Sequence, residues 1–165
     1  MLRIRREAAP ETLQDFDLAA DEKYWEGFDL LRAGARGGGI YLLGYTAEMI
    51  LKYASFRTQG HRPGTAVLGL FGPAKKWMGN RRPTIPHEGY HNLLFWMHYL
   101  RERRRHLGRP LRADADWELV RRVRELYQIW WVEMRYRPDQ AQPDEAAKLL
   151  DDVNWLRQNR VQLWS

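Results

Sequence analysis

Apolar positions along the chain recur at three- and four-residue spacings, the period of helices that bury one face. Phe16, Ala20, Tyr24, Phe28 and Leu31 fall on that rhythm and predict a first helix from about Thr12 to Leu31. Residues 40–56 are apolar or small at nearly every position and predict a second helix, entered from a Gly-rich connector over 33–39. Residues 60–88 hold five Gly and four Pro and read as a long loop (about 59–86), with one turn at Pro73–Met78. A third helix is expected from near His87 to His106, ended by Gly108 and Pro110. A fourth begins after Asp114 or Asp116, either of which suits an N-cap. In it Trp117, Val120, Tyr127, Trp131 and Met134 repeat at helical spacing, and Pro138 stops it. A fifth opens at Pro143-Asp144-Glu145 and lines its inner face with Leu149, Val153 and Leu156. No stretch alternates with period two, so no sheet is expected. The prediction is an all-α antiparallel bundle of about five helices, one domain over residues 1–165.

One detail breaks the apolar run of the second helix. Glu48 and Lys52 sit inside it at i, i+4, a pair that needs polar company in a dry place. Gly44 and Ala47, small at i, i+3, would let a neighbouring helix approach closely. His91 or Arg135 could meet the pair, and a buried polar cluster of Glu48, Lys52, His91, Arg135 and Tyr136 would fix the register of the bundle.

Composition narrows the class. Eight Trp, eight Tyr and five Phe provide a large aromatic core. There is no cysteine, which excludes disulfides, thiol catalysis and Cys-ligated metal and suits a cytoplasmic location. The first residues lack a signal-peptide apolar run, and no stretch reaches membrane-spanning length, so no membrane association is expected. The net charge of +6 is unevenly spread. Residues 52–112 carry 13 Lys and Arg against two acids, while both flanks are net acidic. That basic middle suits a phosphate-bearing partner, with Lys75, Lys76, Arg81, Arg82, Arg103, Arg104 and Arg105 as candidate nucleic-acid contacts. The acidic flanks could equally neutralise it, within the fold or across a dimer. Trp77, beside Lys75 and Lys76, is the candidate exposed aromatic there, and a loop anchor packed on the bundle is its plainer role. The stripe Trp117, Tyr127, Trp130, Trp131 reads as core, and Gly37-Gly38-Gly39 as an interhelical hinge.

The segment GIYLLGYTAEMILKYASFR, residues 39–57, resembles the second helix of HEPN-type domains, with its pattern YLxGYxAExxLK. Tyr90-His91-Asn92-Leu93-Leu94 is similar to the start of that family's following helix, Trp131–Tyr136 to its late "RY" segment, and Glu145–Trp155 to its closing helix. The resemblance implies a small α-bundle, commonly a homodimer, found beside nucleotidyltransferase-type partner proteins, in toxin–antitoxin pairs and in RNA-cleaving defence systems. It implies a binding or regulatory module associated with RNA or nucleotide. It also implies an alternative, metal-independent ribonuclease action at an Arg followed after four to six residues by a His. Arg101 and His106 have that spacing, with His106 as general acid/base and Arg101 stabilising charge on the phosphate. Glu102 stands where the family usually has Asn, Asp or His.

A second motif, His87-Glu88-Gly89-Tyr90-His91, spells H-E-x-x-H. On a helix it would set two imidazoles one turn apart on zinc, with Glu88 as general base. Pro86 before it, Gly89 inside it and the lack of a matched third ligand oppose that use. No cofactor or metal is therefore expected, and zinc at His87 and His91 is a further alternative.

Overall fold

The computed structural model describes residues 11–82, 91–130 and 141–165. All its regular structure is helical: α1 (Leu13–Arg32), α2 (Arg36–Thr58), α3 (Leu68–Arg81), α4 (Leu93–His106), α5 (Ala113–Ile129) and α6 (Pro143–Trp164). Among the described residues there is no strand, and no helix is long and apolar enough to cross a membrane.

Local chemistry sets several of the boundaries. Thr12 and Asp15 cap α1 reciprocally, Thr12 N donating to Asp15 Oδ2 at 2.7 Å and Asp15 N to Thr12 Oγ1 at 3.3 Å. Gly34, at φ +81°, turns the chain out of α1. Asn92 caps α4 by accepting from Phe95 N at 3.0 Å. Gln142 and Glu145 form a second capping box, and Pro143 supplies the pre-set first turn of α6.

The second helix starts earlier than its sequence suggests. Gly37, Gly38 and Gly39 lie within α2, and the connector is only Ala33–Ala35. The glycines serve contact instead of bending. A Cβ on Gly39 would overlap the Leu31 side chain and lie 2.9 Å from the Gly27 carbonyl oxygen. α1 and α2 therefore cross almost backbone to backbone, and burial in that crossing outweighs the poor helix propensity of three glycines.

The expected long loop also contains an element. Val67, Ala74 and Met78 are buried at helical spacing, with Leu70, Phe71 and Trp77 half-buried beside them, and they hold α3 despite Pro73 inside it. The preceding loop is tied to the start of α1, with Val67 N donating to Glu11 O at 2.9 Å and Leu13 N to Thr65 O at 3.0 Å. The helix expected from near His87 begins at Leu93, since His91 and Asn92 are not helical.

Two rows of ion pairs orient the remaining helices. Asp21 accepts from Arg157 and Arg160, and Tyr24 donates to Asn154, so α6 runs antiparallel to α1. Arg122 donates to Asp151 and Asp152 and Lys148 to Glu125, so α5 runs antiparallel to α6. α2 lies innermost, packed on α1, α4 and α6. Of the aromatic stripe expected in the core, Trp130 is buried, Trp117 is 62% and Tyr127 40% exposed, and Trp131 lies outside the described residues. The buried face of α5 is Ala115, Leu119, Val123 and Leu126.

Asp152 is the misfit of this core. It is 1% exposed, takes Arg122 at 2.9 Å on Oδ1, and among the described residues leaves Oδ2 without a hydrogen-bond partner. Burial, then the charge of Glu125, push its carboxyl up to about 6 against the pull of Arg122. The native state thus binds the proton more tightly than the unfolded chain does. This group's contribution to stability falls as pH rises from about 4 to about 6, and stays low above that. Asp152→Asn should therefore raise stability at pH 7 by about 2 kcal/mol and leave it little changed near pH 4. Urea midpoints of both proteins across that range check the expectation, and equal shifts at both pH values would refute it.

Candidate functional site

Two polar arrangements stand out from the apolar core. The first begins at Glu48 on α2, 2% exposed, whose Oε1 accepts from Lys52 Nζ one turn on. Its Oε2 lies 2.9 Å and its Oε1 3.2 Å from His91 Nδ1, just ahead of the Asn92 cap. Lys52, 4% exposed, faces the rings of Phe16, Phe71 and Trp96 at 5.8, 5.1 and 5.4 Å. These rings come from α1, α3 and α4, so one ammonium binds four helices through cation–π contacts and a carboxylate. The His91 ring, about half exposed, meets Tyr45 edge-on at 5.7 Å, and Tyr45 meets Trp130 at 5.5 Å. The structure thus brings Glu48, Lys52 and His91 together, while Arg135 and Tyr136 lie outside the described residues. Gly44 makes room here too: the space its side chain would occupy is filled by the Trp130 indole, whose Nε1 donates to Tyr41 O at 3.0 Å.

The three rings around Lys52 were not foreseen. The spacing of Val67, Phe71, Ala74 and Met78 carried the signal for α3, masked by the Gly and Pro around it.

The second arrangement lies where α3 meets the C-terminal half of α4. Trp77 and Arg81 are one turn apart on α3, and Tyr99, Arg103 and His106 share a face of α4. The Trp77 ring has the Arg81 guanidinium at 4.1 Å and the Arg103 guanidinium at 4.9 Å. Tyr99 and His106 meet the same indole at 5.7 and 6.1 Å. Among the described residues neither Arg81 nor Arg103 has a carboxylate within ion-pair distance. His61 lies close by, its imidazole pushed below the ordinary range by burial and then by the Arg103 charge.

The other basic candidates divide. Lys76 is exposed and Lys75 half-buried on α3. Arg82 and Arg105 both donate to Glu102, at 2.9 and 3.1 Å. Arg104 is 6% exposed and turned into the bundle, donating to the carbonyls of Leu163 and Ser165 at 2.9 Å each. It closes the end of α6 and is not on the basic face.

Arg101 and His106 sit on the same helix but look apart, since five residues turn about 140°. Arg101 grips Asp116 on α5 through Nε and Nη2 at 2.6 and 2.7 Å. That pair holds the Asp116 carboxyl below its usual range. His106 is exposed and faces Trp77 on α3. Within one chain the two are not neighbours.

His87 and Glu88 lie outside the described residues, and His91 Nδ1 is engaged by Glu48. Among the described residues no group of three His, Asp or Glu side chains could hold a metal ion. The helix count, order and packing define an all-α bundle. Comparison with protein-family models, with curated proteins and with solved structures finds no match to this chain.

Proposed function

We propose that this chain is a HEPN-like helical-bundle module of binding or regulatory type, homodimeric and cytoplasmic, that takes RNA or nucleotide phosphate on its α3–α4 face. The observation that carries the reading is the Trp77 indole between the guanidiniums of Arg81 and Arg103, with His106 at its edge. Two cations with no carboxylate within ion-pair distance among the described residues, held side by side on one indole, suit phosphate oxygens. The concentration of Lys and Arg over residues 52–112 points the same way. Ribonuclease action by Arg101 and His106 is the weaker reading, because Asp116 already occupies the Arg101 guanidinium.

Binding of a fluorescent single-stranded RNA, followed by anisotropy at two salt concentrations, tests it. Arg81→Glu should weaken binding about tenfold or more and flatten its salt dependence. Arg36→Glu, at the start of α2, makes the same charge change away from the face and should leave affinity within about twofold. Equal losses in the two variants would mean that net charge alone binds, and no RNA binding by the wild type would end the proposal.

A further inference from the structure

The outer face of α5 carries a large exposed indole that the basic face does not use. Trp117 is 62% exposed, and with Val120, Arg121, Arg124 and Glu125 it lines a surface notch of about 390 Å³. Four of these residues stand at i, i+3, i+4 and i+7, the set that forms a hole for a knob from a facing helix. The apolar side of α5 is already spent within the subunit. The notch is therefore a helix-docking feature on a side that no helix of the described chain covers.

The charges along this stripe are ordered. Asp114, Trp117, Arg121 and Arg124 follow one another at spacings of three, four and three, acid and aromatic first, cations last. Asp114 is 70% exposed, accepts from the Ala115 backbone at the start of α5, and among the described residues has Arg112 as its ion-pair partner, at 3.3 Å. Among the described residues Arg124 has no carboxylate within ion-pair distance. Placed antiparallel against its own copy about a two-fold axis level with Leu119, the stripe matches itself. Asp114 comes opposite the partner's Arg124, and Trp117 opposite the partner's Arg121. A parallel pairing would set Asp114 against itself and Arg124 against itself.

We infer that α5 is the self-association surface of this protein, and that its occupant is α5 of a second copy, with each Trp117 seated in the partner's notch. The inference rests on the homodimeric part of the proposed function and names the surface that would form the dimer. Within the chain the Arg121 guanidinium already lies 5.6 Å from the Trp117 ring and is paired with Glu118 and Glu125. The charge match across the two-fold therefore rests on Asp114 and Arg124, and the contact energy on the exposed indole.

Sedimentation equilibrium on the full chain tests it. The wild type should be a dimer at micromolar concentration. Trp117→Ala and Arg124→Asp should each raise the dimer dissociation constant about tenfold or more, with circular dichroism unchanged because both sites are exposed. Asp114→Arg combined with Arg124→Asp exchanges the two charges and should restore the dimer that Arg124→Asp loses. A monomeric wild type would overturn both the surface and the homodimer. A dimer indifferent to Trp117→Ala and Arg124→Asp would overturn the surface alone. RNA affinity, read at Arg81, is independent of either outcome.

Discussion

Gly44→Ala is expected to destabilise the protein by about 3–5 kcal/mol, the cost of emptying a site that a buried indole fills. The new Cβ would fall inside the contact radius of Trp130 Cγ, Cδ1 and Nε1. It is fixed to the α2 backbone and cannot swing aside, so the ring must leave. Trp130 is 1% exposed, and leaving also breaks its hydrogen bond to Tyr41 O. A domain of this size is stable by only about 5–15 kcal/mol, so the loss takes a large share of the total. Urea unfolding followed by far-UV circular dichroism measures it. The double variant Gly44→Ala, Trp130→Ala separates clash from lost packing. Once the ring is gone the methyl has room, so the double should cost far less than the two singles added. Additive losses would show that the methyl does not act through the Trp130 ring, since helix propensity alone would favour alanine here.

The second large effect is at Glu48. Glu48→Ala should cost about 3–5 kcal/mol, because Lys52 would remain a buried cation with no carboxylate. Phe16, Phe71 and Trp96 can attract the ammonium but cannot replace its counter-charge. His91 would lose its Nδ1 partner in the same step. Replacing Glu48 and Lys52 together by Leu and Met should recover most of the loss, since a buried pair exchanged for well-packed apolar groups is often neutral. Equilibrium denaturation of the single and double variants decides this. A double variant no better than Glu48→Ala would mean that the carboxylate serves His91 and the rest of the site more than it serves Lys52.

How far the sequence led depends on whether the signal was local. The Glu48–Lys52 pair was readable because i, i+4 on an apolar helix needs no knowledge of neighbours. The aromatic cage was not, because its rings come from three other helices. Gly37–Gly39 read as a break since propensity favours one, yet the close crossing with Gly27 and Leu31 won. α5 misled in a different way. It carries two stripes at helical spacing, one with Trp117 and Tyr127 and one with Leu119, Val123 and Leu126. Large aromatic rings suggested the first as core, but the aliphatic stripe is the one that α4 and α6 cover. Trp130, expected in the core with the aromatic stripe, is buried. Of the candidate basic contacts, Lys76 and Arg81 are exposed, whereas Arg104 is consumed by the end of α6, which no local pattern could reveal.

The basic face joins two helices of unequal anchorage. α4 buries Leu93, Phe95, Trp96, Met97, Tyr99 and Leu100, while α3 buries only Ala74 and Met78 and carries a proline that removes one of its own hydrogen bonds. Local opening costs least where burial is least, so α3 is expected to open more readily than α4, at the cost of uncovering the Lys52 side that Phe71 shields. A ligand that bridges Arg81 and Arg103 would then favour the docked state of α3, and its apparent affinity would include the cost of reaching that state. On the proposed reading, whatever steadies α3 would strengthen ligand binding on that face.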